Sequence, residues 1–363
     1  MSELLRVLAL ATYPVEAAAS RYRIVQFTES LAARGIDLTF SPFLDRRLFD
    51  VLYEPGKLAR SAPRLGWKVL RRFADVVRAA KADVVWIQRE AMLLGPPIVE
   101  RLVRLIGRPI VLDLDDATYV AYDSPVYGRF AKALKWPGKT DRLIRWAEAV
   151  IAGSETVAAH VEAAGTRATV VPTIVDLDAF RPSESERTTP VLGWVGTHST
   201  YPFVESLFPL LSELAREHNF SVRIVGSARE RIEIPGVHVE AKRWELEDEI
   251  RDFQSLDIGL YPLTEDAFTI GKSGFKAIQY MAVGVPFVMN PVGVCATMGI
   301  DGTTHFLART DDEWRARLTQ LLRDAQLRRT MGRAARAYAE EHFGIAEHAD
   351  KIAGVLRSAV RRP

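Results

Sequence analysis

The clearest chemistry in the chain lies in one stretch, Thr269-Ile270-Gly271-Lys272-Ser273-Gly274-Phe275-Lys276, continuing through Gln279-Tyr280-Met281-Ala282-Val283-Gly284-Val285-Pro286. The pattern predicts a loop, a helix, a glycine stop and a strand. Ser273 is placed to cap the helix, Gly284 to end it in a left-handed conformation, and Pro286 to prevent its resumption. At about 100° per residue, Lys272, Lys276, Gln279 and Val283 share one face, while Phe275, Ile278 and Ala282 share another that suits a sheet. Two lysines one turn apart repel each other unless an anion lies nearby. A helix N-terminus adds partial positive charge and free N–H groups. Gly271 and Gly274 would let a ligand approach the backbone closely. Together these residues describe a phosphate or diphosphate site, against the alternative of a surface helix with solvated lysines. A Walker A loop is rejected, because Asp266 stands where its first glycine would be.

Other candidates sit where apolar strands run out. Gly193-Trp194-Val195-Gly196-Thr197 and Gly226-Ser227 are strand-end glycine turns whose backbone amides could reach phosphates. Asp113-Leu114-Asp115-Asp116 places three acids in four positions, which is tolerable in solvent or useful where a carboxylate accepts a proton or a hydroxyl hydrogen bond. Ser20-Arg21-Tyr22-Arg23 offers arginines to a phosphate, and Gln88-Arg89-Glu90 could line an acceptor. The single cysteine, Cys295, is read as an incidental small side chain.

Strand and helix signals alternate along the chain, the pattern of parallel sheets covered on both faces. Strands are predicted at Leu4–Ala11, Asp37–Phe43, Val84–Gln88, Pro109–Asp113, Ala149–Gly153 and Thr169–Pro172, with helices at Ala18–Arg34 and Pro97–Ile106. After a linker at Pro182–Pro190, strands follow at Val191–Val195, Ser221–Val225, Val237–Glu240, Ile258–Pro262 and Pro286–Met289. Helices follow at Phe203–Glu217, Glu247–Ser255, Asp311–Asp324, Gln326–His342 and Ala346–Arg361. Two copies of a doubly wound architecture result, and such sheets bind ligands beyond the carboxyl ends of their strands.

The lysine stretch resembles the donor-binding helix of retaining glycosyltransferases of family 4. That family has two glutamates eight positions apart, the second followed by A-M-A-x-G-x-P. Here Gln279-Tyr280-Met281-Ala282-Val283-Gly284-Val285-Pro286 matches the second half, Gln279 replaces the second glutamate and Gly271 the first. The chain is also similar to a branch of the family with the pattern G-K-x-G-F-K-x-x-Q-Y-M. The resemblance implies the GT-B fold, two Rossmann-like domains facing across a cleft. Residues 1–182 would form the acceptor domain and 188–345 the nucleotide-sugar donor domain, with the C-terminal helix 346–363 packing back onto the first. It implies a nucleotide-diphosphate sugar of UDP or GDP type as donor substrate, with no separate cofactor, and front-face transfer without a metal.

As the glycosidic bond breaks, charge grows on the diphosphate, and fixed cations and amides there favour the transition state. Lys272 and Lys276 are the first candidates for that role, then Arg229. Asp116 and Asp115, standing where many members carry His-Asp, are read as sugar or acceptor-hydroxyl contacts. Gly196, Thr197, Gly226, Ser227, Gly271, Ser273, Gly274, Phe275 and Gln279 would bind the donor. Trp244 lies where the family holds the nucleobase, as stacking or as packing.

The 363 residues suffice for two domains, and a formal charge of +2 gives no electrostatic case for nucleic acid. The apolar start of the chain reads as a buried strand rather than a signal peptide. No apolar run is long enough to span a bilayer, and a cytoplasmic protein is expected, at the inner face of the membrane if it docks there. Basic regions with interleaved aromatics, Lys57–Lys81 and Gly128–Trp146, fit either peripheral membrane contact or ordinary solvated faces. The expected function is glycosyl transfer to a glycan or lipid-linked glycan. The rivals are a sugar-nucleotide epimerase of the same fold and an inactive binding or scaffold protein, the latter kept open by Gly271 and Gln279.

Overall fold

The structure, a computed structural model, describes residues 4–51, 60–120, 136, 138–183 and 187–360. Parts of the Lys57–Lys81, Gly128–Trp146 and Pro182–Pro190 segments therefore lie outside the described residues. The chain divides into two compact units. The first comprises Met1–Thr173, Gly271–Ser273 and Ile345–Pro363, and the second Ile174–Ile270 and Gly274–Gly344.

The first unit holds a parallel six-stranded sheet: β1 (Leu5–Ala11), β2 (Ile36–Pro42), β3 (Val84–Gln88), β4 (Ile110–Leu114), β5 (Ala149–Ala152) and β6 (Ala168–Val170), in the order β2-β1-β3-β4-β5-β6. Strands β3, β4 and β5 are buried along their whole length, which explains their apolar runs, interrupted only by the buried Asp113 in β4 and Gln88 at the end of β3. The order reverses between β1 and β3, where Ala11 is in register with Gln88. The helix Ala62–Ala79 is pinned beneath this edge by a buried arginine. Arg72 donates to the carbonyls of Ala11 (2.8 Å) and Ser41 (3.0 Å) and pairs with Asp75. Burial lowers the Arg72 guanidinium to about 10, although Asp75 and Glu100 oppose that shift. The C-terminal helix Ile345–Val360 packs on β3, β4 and β5 and on the helix Thr28–Ala32. Arg34 ties it down through Asp350 (2.6 Å) and the Ala346 carbonyl (2.9 Å).

The second unit carries β7 (Val191–Val195), β8 (Ser221–Val225), β9 (His238–Lys242), β10 (Ile258–Tyr261), β11 (Phe287–Met289) and β12 (Phe306–Leu307), all parallel, in the order β12-β11-β10-β7-β8-β9. Its core joins Leu192, Trp194, Ile224, Ile258, Leu260 and Val288. The order reverses between β7 and β10, which makes the ends of those two strands the natural ligand crevice of this sheet.

Two long helices of the sequence reading are broken. Ala18–Arg34 is a helix at Ala18–Arg23, a 3₁₀ turn at Val25–Phe27 and a second helix at Thr28–Ala32, an arrangement that buries Ile24 and Phe27 and turns Arg23 inward. Phe203–Glu217 is two helices, Tyr201–Glu205 and Phe208–Leu214, each with a proline in its first turn. Pro209 cannot donate within a continuous helix, so the chain restarts there. Strand β12 escapes the sequence reading because two residues carry no periodicity.

Candidate active site

In the second unit the two glycine turns meet. Gly226, at φ +84°, leaves β8 in a left-handed conformation, and a Cβ there would stand 2.0 Å from the Gly196 carbonyl oxygen and 3.4 Å from Cβ of Trp244. Only glycine fits on both counts. Gly196 N donates to Val225 O and Gly226 N to Lys242 O, so both turns are fixed by the sheet. Beyond Gly196 the loop closes on its own hydroxyls, with Thr197 Oγ1 2.8 Å from Ser199 Oγ and Thr197 N donating to Thr200 Oγ1. Ser227 is buried, its hydroxyl accepting from Arg229 N at 3.2 Å, and Ala228 is a non-glycine residue at φ +60°. Trp244 is half-buried.

The lysine helix, Phe275–Ala282, begins behind Gly274 at φ +69°, with no side-chain cap. This corrects the expected Ser273 cap: a left-handed glycine, not a side chain, turns the chain into the helix, and Ser273 is a buried loop residue. Lys272 consequently lies ahead of the helix, half-buried, rather than one turn from Lys276 on a shared face. Lys276 Nζ donates to the Val195 carbonyl at the end of β7 and lies 5.0 Å from the Trp194 ring centre and 5.7 Å from that of Tyr261. Tyr261 ends β10, so Lys276 stands at the reversal point of the sheet, beside Gly196. Gln279 is buried on the same helix, as is Tyr280, whose hydroxyl donates toward the carbonyls of Gly193 and Leu260. Arg229 is mostly exposed, 4.8 Å above the Tyr201 ring centre and 3.6 Å from Glu205.

Gly271–Ser273 group with the first unit. A Cβ on Gly271 would lie 2.3 Å from the Ala117 Cβ, so the position where the family carries a glutamate has no room here for any side chain without a shift. Ala117 follows the acid cluster, which is more fully engaged than its sequence suggests. Asp113 is buried in a two-pronged pair with Arg23 (2.9 and 3.2 Å). Burial raises its carboxyl to about 6, against the pull of Arg23. Arg23 therefore serves the fold, not a phosphate, and Asp113 faces inward. Asp115 is held by Arg89 at 2.5 and 2.6 Å. Burial would raise the Asp115 carboxyl, but Arg89 outweighs it and the net direction is down. Its carboxylate is thus engaged in an internal ion pair. Asp116 has a 3.3 Å contact with the same arginine and keeps about a quarter of its side chain exposed.

Arg89 itself went unranked in the sequence reading. It follows β3 at φ +59°, an uncommon conformation for a non-glycine residue, fixed by its N–H donating to Asp113 O at 2.8 Å. It lines a cavity of about 110 Å³ with Tyr13, Glu90, Tyr119, Lys139 and Asp141. Lys139 is buried, bonded to Glu90 (2.8 Å) and the Met92 carbonyl (2.7 Å). Tyr119 stacks on His160 at 3.6 Å, and His160 Nε2 lies 2.9 Å from Asp141. These residues come from separate segments, and no local signal in the sequence joins them. Among the described residues no group of three or more His, Cys, Asp or Glu is arranged to hold a metal.

The comparisons with known proteins agree with this architecture. Sucrose-phosphate synthase from Thermosynechococcus elongatus superposes with a TM-score of 0.70 at 14% identity, covering 97% of this chain and 98% of that one. Anabaena HepE, in complex with UDP and glucose, gives 0.65 at 17% identity over 98% and 100%. A glycosyltransferase from Rickettsia africae gives 0.69 at 11% over the full length of both. At these identities the likeness establishes the fold, GT-B with two Rossmann-like domains. No curated protein matches the sequence. The profile of the Glycosyl transferase 4-like domain matches residues 3–174, and that of Glycosyl transferases group 1 matches residues 189–324. On two matches that together cover most of its length, the chain belongs to the family-4-like, group 1 glycosyltransferases.

Proposed function

We propose that the chain transfers a sugar from a nucleoside-diphosphate donor, of UDP or GDP type, to a hydroxyl of a glycan or lipid-linked glycan, with retention and without a metal ion. The observation that carries the reading is Lys276 at the β7–β10 reversal point, beside the Gly196 and Gly226 turns. The bond from the anomeric carbon to the diphosphate oxygen breaks, and the leaving group gains charge. The acceptor oxygen forms the new bond on the same face, and its proton passes to the departing phosphate oxygen. Lys276 and Lys272 supply the positive field at that oxygen. Asp116, the partly exposed carboxylate beside Arg89, is the first unit's candidate contact for an acceptor hydroxyl. The UDP and glucose in the HepE structure support the donor class. The close packing of Gly271 favours a sugar site that works without the family's first glutamate, and it is also what an inactive scaffold would show.

Calorimetric titration with UDP, GDP and ADP, with and without Mg²⁺, separates these cases. One nucleotide is expected to bind without Mg²⁺, and Lys272→Ala should abolish that binding. Binding of none of the three would leave the scaffold reading, and unchanged binding in the variant would remove Lys272 from the donor site.

A further inference from the structure

The helix Ala62–Ala79 is fastened to the first unit by one face only. Arg72, Asp75 and Ala79 are buried, and Leu65, Val69 and Val76 pack on the core. The opposite face is solvent-exposed and apolar. Trp67 is 64% exposed, Leu70 65% and Val77 69%, with Ala74 exposed between them. Spacings of three and four residues put these side chains in one stripe along the helix. Arg64, Arg71 and Arg78, seven residues apart, form a second row along one edge of that stripe, all exposed, although Arg64 also pairs with Asp45 (2.8 Å) and Arg78 with Asp75 (3.0 Å). The adjoining helix Ile98–Leu105 packs against the first and adds exposed Leu105 and Ile98 with Arg101 and Arg104. The only carboxylates on the two helices, Asp75 and Glu100, are buried. An apolar row of this size normally signals a partner. A basic row beside it, with no exposed acid on either helix, selects an anionic one.

We propose that this face docks the protein onto an anionic lipid surface. Trp67, Leu70 and Val77 enter the boundary between headgroups and acyl chains, and the arginine row lies along the headgroup phosphates. Among the described residues no helix is long and apolar enough to cross a membrane, so the contact is peripheral. The described part of the second basic region is mixed, with Trp136, Arg142 and Arg145 exposed. Its Lys139 is buried against Glu90, and its Trp146 is half-buried under the Arg104 guanidinium, 5.7 Å away.

The test is co-sedimentation of the full chain with vesicles of phosphatidylcholine alone and with about one third phosphatidylglycerol. Binding is expected only to the anionic vesicles and should weaken with added salt. Arg71→Glu changes the local charge by two units and should weaken partitioning about 25-fold, at about fivefold per charge. Trp67→Ser/Leu70→Ser should weaken it at least tenfold, with an unchanged melting temperature because both positions are exposed. No binding, equal binding to neutral vesicles, or full binding by both variants would each overturn the proposal. A dimer of the wild type that Trp67→Ser/Leu70→Ser abolishes, with no vesicle binding, would overturn it in favour of a second copy. Nucleotide titration in the absence of vesicles is unaffected by any of these outcomes, so the donor reading stands or falls separately.

Discussion

Replacing Lys276 by methionine separates the two things its position can mean. Methionine keeps an apolar stem between Trp194 and Tyr261 but removes the ammonium that donates to the Val195 carbonyl. As a structural tie, that ammonium contributes a charge-assisted hydrogen bond of about 1.5–3 kcal/mol and two ring contacts of about 0.5–1 kcal/mol each, less the cost of holding a half-buried charge out of water. A net loss of about 1–3 kcal/mol lowers the melting temperature of a unit this size by a few to about ten degrees. As a contact to the leaving diphosphate, the same group contributes about 2.7–4 kcal/mol in the transition state, or about 10²–10³ in turnover. The assay is thermal melting together with steady-state release of the nucleotide identified by titration, measured well below the melting transition. The expected result is a modest fall in melting temperature with a fall in kcat of at least a hundredfold, and only partial recovery in Lys276→Arg. A variant with the lowered melting temperature but kcat within about threefold of wild type would show that Lys276 is only a tie, and would refute its placement in the chemistry.

Gly226→Ala places a Cβ about 2 Å from a backbone oxygen in a left-handed conformation, so nucleotide affinity should fall at least tenfold and the melting temperature should drop; a normal titration would show that the two turns move freely. Asp116→Asn should leave folding and nucleotide binding intact while lowering transfer, whereas Asp113→Asn should impair folding by about 3–5 kcal/mol because it strands the buried Arg23 charge, and melting curves with parallel transfer assays distinguish the pair. His305 is buried against Phe287, with Thr304 Oγ1 2.9 Å from Nδ1, and burial depresses its imidazole from 6.5 to about 4. The unfolded chain therefore takes up the proton first as the pH falls. The stabilising preference for neutral His305 is fully present above about pH 6.5 and should be lost toward pH 4, by roughly 3 kcal/mol. In His305→Phe the melting temperature should depend less on pH across that window, and an unchanged profile would count against the assignment.

The alternation of strand and helix was legible because parallel strands buried on both faces must be continuously apolar. Val84–Gln88 and Val191–Val195 were readable to the residue for that reason. Local backbone chemistry also placed Gly284, which is left-handed just past the lysine helix. The breaks inside Ala18–Arg34 and Phe203–Glu217 were hidden because an apolar period of 3.6 continues across them. The cap was misplaced because serine is a good cap by propensity, yet Gly274 alone could adopt the turn that the packing of Met298 and Val294 around it requires. Sheet order was beyond the sequence altogether, and with it the reversal points where Lys276 and Arg89 stand. The acid cluster shows the same limit. Four neighbouring letters offered three carboxylates, and which of them faces solvent depended on arginines 90 and 26 residues away. The sequence determined most of the elements, through local periodicity, and the family, through its motif. The tertiary structure decided which charges are spent on one another, because a buried ion pair forms only where distant segments are brought together and water is excluded.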